Sequence, residues 1–341
     1  MPARIKDSRN ILSSIESLPN QCEQVNRELS VFHLPPDYST VANVVVSGMG
    51  GSALGARIIT NFSNYLRKPI FISTEYHLPH FVSADTLVII SSYSGNTEET
   101  IHALKEAEVL NAKIVIICTG GQLQSIAAEK NIPAYIINPL YNPSAQPRMG
   151  LGYAIFSLLK ILMLIKAVDI PETLKDISDH LRTSASDRKK YQSLALHLSG
   201  KIPVLIAAEH LKGAAHAFKN QLNENAKTFA DLFDLPELNH HLLEGLSFPD
   251  GAKNILSFVF FTSSLYSPQI YTRFPITQDV VSKNSFPYEV FPLSSSSRIL
   301  QAVELVQAGC YVSYYLAQIN GVDPGPIPWV DWYKDEIRQV V

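Results

Sequence analysis

Short β-branched runs alternate with amphipathic stretches through most of this chain. From Val41 onward the apolar runs are Val44-Val45-Val46, Ile70–Ser73, Thr86–Ile90, Ile114–Ile117 and a last one near Ala134–Ile137, each of strand length. Between them Ala53–Leu66 and Glu98–Leu110 space their apolar residues as helices do. Strands joined through helices of this length imply right-handed βαβ crossovers and a parallel sheet covered on both faces. Ahead of this series, Ile11, Leu12, Ile15 and Leu18 recur at helical spacing and Pro35-Pro36 ends any helix, so residues 1–40 read as a helical lead-in.

The pattern repeats in kind after residue 200. Leu151–Val168 reads as a buried helix, because Lys160 and Lys166 interrupt it and it is too short for a membrane span. Asp169–Gln192 is polar and contains Pro171, as a linker with a helix would. A second series follows: strand Ile202–Ala207, helix Lys212–Lys227, strand Ile255–Phe261, helix Ile270–Ser282 around Pro275, strand Tyr288–Leu293 and a long helix Arg298–Ile319. No residue-level repeat links the halves, which favours two similar domains over a solenoid. The expected fold class is α/β, with two doubly wound domains of mostly parallel sheets at 41–170 and 201–320. A linker at 171–200 joins them, and 321–341 forms a C-terminal strap. In that strap Pro324, Pro326 and Pro328 impose an extended route before an amphipathic piece with Trp329, Trp332 and Tyr333. Such a route can bring Lys334 back over a site.

Composition narrows the partners. The chain has 341 residues, 46% of them apolar, and 28 basic against 31 acidic residues for a net charge of −3. No block of like charge offers a nucleic-acid arm. Cys22, Cys118 and Cys310 are far apart, odd in number and in no metal-ligand spacing, which argues against a disulfide framework or a zinc site. His240 and His241 are adjacent and would point apart, and no histidine pair with a carboxylate stands out. The first twenty residues carry Arg4, Lys6, Asp7, Arg9 and Glu16 in place of a secretory apolar region. A cytoplasmic protein without membrane contact, metal or cofactor is expected.

Two serine-rich turns carry the chemistry. Gly48-Met49-Gly50-Gly51-Ser52-Ala53 and Ser91-Ser92-Tyr93-Ser94-Gly95-Asn96-Thr97 both stand where a buried strand should end and a helix begin. At such a junction free N–H groups, the helix dipole and small hydroxyls all favour an anion, so the pair describes a phosphate pocket. Each loop alone is also an ordinary serine-capped turn. Gly48, Gly50 and Ala53 with Glu75 further on fit the G-x-G-x-x-A dinucleotide fingerprint, which leaves an NAD-dependent oxidoreductase as a rival. Against that rival, the five hydroxyls within Ser91–Thr97 suit a compact phosphate monoester.

The segments Val45–Ser52 and Ser92–Thr100 resemble the two phosphate loops of the sugar isomerase (SIS) domain. More of the chain is similar to one subfamily, the bifunctional phosphoglucose/phosphomannose isomerases of archaea and bacteria. Pro147-Arg148-Met149-Gly150-Leu151-Gly152-Tyr153 resembles that family's P-R-x-x-x-G-Y segment. Glu224 within Asn220–Lys227 matches its helix-borne glutamate, His240 within Pro236–His240 its histidine, and Lys334 its C-terminal lysine. His241 stands where many members carry Asn, a difference that bears on substrate preference more than on reaction type.

The resemblance implies two SIS-type, flavodoxin-like domains and a phosphosugar substrate held by Gly51, Ser52, Ser92, Ser94 and Thr97. It implies Glu224 as the base moving a proton between C2 and C1, His240 for ring opening, Arg148 beside the enediolate and Lys334 near the ring. It also implies a homodimer in which the histidine enters the neighbouring subunit's site. These types suit the chemistry: a poorly hydrated carboxylate is raised toward neutrality, imidazole changes charge near neutral pH, and guanidinium stays cationic. A non-catalytic SIS regulator would keep the two serine loops and need neither Glu224 nor His240.

Overall fold

The apolar runs of the first half pair side by side as one parallel sheet of β1 (Asn43–Gly48), β2 (Ile70–Ser73), β3 (Thr86–Ser92), β4 (Lys113–Cys118) and β5 (Ala134–Ile136). Its five strands run in the spatial order β2-β1-β3-β4-β5, the flavodoxin-like doubly wound arrangement. The structure is a computed structural model and describes residues 6–340, so Met1–Ile5 of the lead-in and Val341 of the strap lie outside the described residues.

β1 and β3 are buried along almost their whole length, which is why they read as unbroken apolar runs. Their side chains divide between two cores. Val44, Val46, Leu87 and Ile89 face α3 (Gly51–Ile59), α6 (Leu151–Leu164) and the lead-in helices α1 (Ile11–Glu16) and α2 (Leu18–Glu28). Val45, Val88 and Ile90 face α4 (Glu98–Val109) and α5 (Gly121–Lys130). The Asp7 carboxylate caps α1, accepting from Ile11 N–H at 2.8 Å and Leu12 N–H at 2.9 Å.

Some boundaries differ from the sequence pattern for local reasons. The helix expected over Ala53–Leu66 stops at Ile59, where the Thr60 hydroxyl donates to Ala56 O at 2.9 Å and Asn61 Nδ2 to Arg57 O at 2.6 Å, taking up carbonyls of the last turn. The linker is mostly helical: α7 (Leu174–Ser184) starts with a Thr173–Asp176 capping box and α8 (Arg188–His197) with Asp187 as cap.

A second parallel sheet holds β6 (Ile202–Ala208), β7 (Asp231–Leu235), β8 (Leu256–Ser263) and β9 (Tyr288–Leu293) in the order β7-β6-β8-β9, the first four positions of the flavodoxin-like order again. It is flanked by α9 (Lys212–Asn225), the short α10 (Ala252–Ile255), α11 (Pro268–Lys283) and α12 (Arg298–Asn320), and α13 (Pro328–Val340) lies within the strap. Phe260 of β8 meets Phe274 of α11, with ring centroids 6.3 Å apart, while its neighbour Phe261 meets Phe218 of α9 at 5.3 Å. Both faces of this sheet are therefore covered.

The halves meet through α3 and α9. At Gly213 a Cβ would lie 2.1 Å from Arg57 O, so α9 can approach the α3 backbone only with glycine there. α12 is buried over most of its length, is capped by Ser297 and ends at Gly321 in the left-handed region (φ 74°). Among the described residues no helix is long and apolar enough to cross a membrane.

Candidate active site

In a doubly wound sheet the ligand crevice lies beyond the carboxyl ends of the strands where the order reverses, here β1 and β3. β1 runs into Met49-Gly50, and Gly50 adopts φ 50° with ψ −124° before α3 starts at Gly51, a conformation that favours glycine. β3 runs into Tyr93–Thr97 before α4. The loops are stitched together: Tyr93 N–H donates to Ser52 Oγ at 3.0 Å, and Ser91 Oγ donates to Ser52 O at 3.2 Å.

Inside the second loop Ser92 Oγ and Thr97 Oγ1 lie 2.7 Å apart, Gly95 N–H donates to Ser92 Oγ at 3.2 Å and Asn96 N–H to Ser94 Oγ at 3.2 Å. Thr97 occupies the N-cap position of α4 without capping it by its own side chain. A third turn, before α5, braces this loop. Leu123 N–H donates to Gly95 O at 3.0 Å and Gln122 N–H to Asn96 Oδ1 at 2.9 Å. The contact is so close that a Cβ on Gly95, itself at φ 69°, would sit 1.8 Å from Gly120 O. The hydroxyls of Ser52, Ser92, Ser94 and Thr97 and the Gly51 end of α3 are thus held on a rigid floor between two helix N-termini.

Arg148 lies against that floor, in the tight turn Pro147–Met149 ahead of α6. A Cβ on Gly51 would lie 3.3 Å from Pro147 O, and one on Gly150 2.6 Å from the Tyr93 ring, so the turn touches both loops. The guanidinium is buried and donates in three directions: Nε to Asn225 Oδ1 at 2.8 Å, Nη1 to Gln146 Oε1 at 2.8 Å, and Nη2 to Pro324 O and Gly325 O at 2.9 and 2.7 Å. Burial lowers its pKa, and the facing Glu224 opposes that fall.

Glu224 comes from the last turn of α9 in the second half. Its Oε2 lies 3.9 Å from Arg148 Nη1, with the side chain 33% exposed. Burial raises its pKa above the ordinary carboxylate value, and Arg148, Lys227 and Lys334 pull it down in that order. Lys227 Nζ donates to Glu224 O at 2.6 Å and to Pro324 O at 3.4 Å, and desolvation lowers its pKa to about 8.

The strap closes over this pair. Pro324 and Gly325 are buried; Gly325 N–H donates to Asp323 Oδ1 at 2.9 Å, and the Asp323 carboxylate accepts from Ser8 N–H at 3.3 Å. The lead-in and the strap therefore hold each other, and α13 continues with Lys334 close enough for its ammonium to lower the Glu224 carboxyl. Arg148, Glu224, Lys334 and both serine loops are brought together.

His240 is not. It lies at the exposed end of the turn Glu237–His240 after the edge strand β7, and its imidazole has no hydrogen bond, ion pair or ring contact within the described residues. The adjacent His241 does, with Nε2 2.7 Å from Glu237 Oε2.

Sequence reasoning missed several parts of this site. Asn225 and Lys227 follow Glu224 closely in sequence, and Gln146 stands two residues before Arg148, so proximity in sequence was an available signal. The Pro324 and Gly325 carbonyls had none beyond the proline run. The dinucleotide reading is corrected by topology: the first sheet has the flavodoxin-like order and not the Rossmann order 3-2-1-4-5-6, and Glu75 is exposed on the β2–β3 connection.

Comparison with known proteins shows the family and the fold. Residues 40–165 match the family model of the SIS domain and residues 187–337 that of the bacterial phospho-glucose isomerase C-terminal SIS domain. A bifunctional phosphoglucose/phosphomannose isomerase of Caldicellulosiruptor bescii is 32% identical over 97% of this chain and 99% of its own length. One from Thermoplasma acidophilum is 31% identical over 87% of this chain and 90% of its own. Among solved structures, the C-terminal domain of glucosamine-fructose-6-phosphate aminotransferase from Francisella tularensis superposes with a TM-score of 0.75 over 94% of this chain and 99% of that one, at 15% identity, a likeness of fold. On these matches the chain belongs to the bifunctional phosphoglucose/phosphomannose isomerase family.

Proposed function

We propose that the protein is an aldose–ketose isomerase that interconverts glucose 6-phosphate, and mannose 6-phosphate, with fructose 6-phosphate. The observation that carries this reading is the Glu224–Arg148 pair, a carboxylate raised by burial 3.9 Å from a fixed guanidinium, beside two hydroxyl-rich loops at helix N-termini. The phosphate accepts hydrogen bonds from Ser52, Ser92, Ser94 and Thr97 and from the Gly51 end of α3, with Ser92 and Thr97 exchanging their mutual bond for bonds to the ligand. With the sugar ring open, ionised Glu224 takes the C2 proton, and the electron pair left behind forms the C1=C2 bond while negative charge grows on the oxygen at C1. Arg148 stabilises that charge. The proton of the C2 hydroxyl passes to the oxygen at C1, and Glu224 returns the carbon-borne proton to C1 as the carbonyl forms at C2, which completes the step toward the ketose. A carboxylate whose pKa is raised by burial can take the proton in one direction and return it in the other.

His240 opens and closes the ring, acting from a second copy of the chain in a homodimer with shared sites. Its exposure and the absence of any contact with Arg148 or Glu224 among the described residues of one chain support that placement. Lys334 lies over the ring on α13. A purely regulatory phosphosugar binder would have no use for the buried Arg148–Glu224 arrangement.

The test is a coupled assay with fructose 6-phosphate and mannose 6-phosphate on wild type, Glu224→Gln, His240→Ala and a mixture of the two variants refolded together. Each variant alone is inactive while retaining sugar-phosphate binding. The mixture regains activity, because one of the two sites in a mixed dimer combines Glu224 from one chain with His240 from the other. Wild type that binds without turnover would favour the regulator, and a mixture as inactive as its components would refute the shared site.

A further inference from the structure

The connection from β2 to β3 brings His77 against α4, where His102 and Glu106 sit one turn apart on one helix face. One ligand atom from each of the three side chains falls within 4.8 Å of the others. None of the three takes part in the site described above. We propose that His77, His102 and Glu106 form a binding site for a divalent transition-metal ion of the zinc class, which fastens the β2–β3 connection to α4.

Three features of the cluster carry this. First, the donor set of two imidazoles and one carboxylate is one that zinc takes, leaving a fourth position for water. Second, the spacing fits: a tetrahedral ion with ligand bonds of about 2.0–2.1 Å holds its ligand atoms roughly 3.3–3.5 Å apart, and His77 Nδ1 already lies 3.5 Å from Glu106 Oε1. The imidazole rings of His77 and His102 stand at 89° with centroids 5.1 Å apart, so the pair converges without stacking.

Third, hydrogen bonds to the backbone of the connection hold both α4 side chains in place. His102 Nδ1 lies 2.8 Å from the Tyr76 carbonyl oxygen, which can only accept. Nδ1 therefore carries the proton and Nε2 keeps its lone pair, the arrangement found behind most metal-bound histidines. Glu106 Oε2 accepts from Leu78 N–H at 2.6 Å, which fixes the carboxylate and leaves Oε1 facing His77. Backbone groups at Tyr76 and Leu78, on either side of His77, thus orient both α4 ligands.

The ion would tie three consecutive residues of the connection to the helix that follows the second serine loop.

The test uses the full-length, tag-free protein and Zn2+ alone. Calorimetric titration of wild type gives one saturable Zn2+ site per chain, and amide exchange across residues 74–80 slows on saturation. His77→Ala and His102→Ala each weaken binding by at least about tenfold, the range seen when a ligand or its support is lost, and each abolishes the slowing. Both side chains are exposed, and unchanged far-ultraviolet circular dichroism checks that the variants fold. Wild type with no saturable Zn2+ binding, or binding of wild-type strength in both variants, overturns the proposal.

Discussion

Replacing Arg148 with lysine keeps the charge and removes the fork. The guanidinium now serves four acceptors on three sides: Asn225 Oδ1, Gln146 Oε1, Pro324 O and Gly325 O. A lysine carries a single nitrogen and cannot face three directions of a plane. If it keeps the two strap carbonyls, the buried oxygens of Asn225 and Gln146 lose their donor. Hydrogen bonds to a charged group contribute about 1.5–3 kcal/mol each, so two lost bonds cost roughly 3–6 kcal/mol. Water entering from the Glu224 side, which is partly exposed, offsets some of this, and the lower end, about 3 kcal/mol, is the expected loss. With an unfolding entropy of about 2.1 cal/mol/K per residue over 341 residues, that is a fall of about 4 °C in the melting midpoint. Scanning calorimetry of wild type and Arg148→Lys measures it directly, and kcat/KM for fructose 6-phosphate falls in the same variant. Arg148→Met separates charge from fork: Glu224 loses its nearest counter-charge, its pKa rises further, and the acid limb of the activity profile moves to higher pH only in the Met variant. An Arg148→Lys midpoint within about 1 °C of wild type would refute the claim that the fork holds the site together.

Two further expectations follow from buried groups. His210 is fully buried, its Nε2 2.9 Å from Gln301 Oε1, and desolvation pushes its pKa down from the ordinary 6.5 to about 4. Between those values the unfolded chain binds the proton and the folded one does not, so its contribution is complete above pH 6.5 and is lost on acidification toward pH 4. By linkage, going from pH 7 to pH 5 costs about 2 kcal/mol through this group, and urea unfolding at both pH values will show a correspondingly smaller loss in His210→Gln; an equal loss would sink the assignment. Gly213→Ala places a methyl 2.1 Å from Arg57 O, a backbone atom that cannot step aside, whereas a Cβ on Gly245 meets nothing within 4 Å. The first substitution lowers stability by about 3 kcal/mol or more and the second by under about 0.5 kcal/mol, and similar melting midpoints for the two would contradict the α3–α9 packing.

What the sequence made legible follows burial. β1 and β3 announce themselves because both faces are covered, and α12 because nearly every turn is apolar. β7 did not, since Asp231 and Asp234 punctuate an edge strand that is only half-buried. α5 did not either: it opens on Gly120-Gly121 and buries only Leu123 and Ala127, too few positions to set a helical period. The serine loops were visible as chemistry because hydroxyls and glycines at strand ends have a physical reason to be there. The pairing of Arg148 with Glu224 was not readable from spacing, because the contact joins residues of different halves; only the resemblance to a family named both. The strap's part was hidden more deeply still, since backbone carbonyls of Pro324 and Gly325 leave no mark in side-chain chemistry.

The central claim is that Glu224 carries a proton between C2 and C1. Incubating the protein with fructose 6-phosphate in deuterium oxide and following the sugar by proton NMR tests it directly. The account predicts deuterium at C2 of the glucose 6-phosphate formed by wild type, because a carboxylate one-third exposed trades its proton with solvent during the intermediate's lifetime, and neither product nor label with Glu224→Gln that still binds the sugar phosphate. Isomerisation and labelling by Glu224→Gln at the wild-type rate would contradict it.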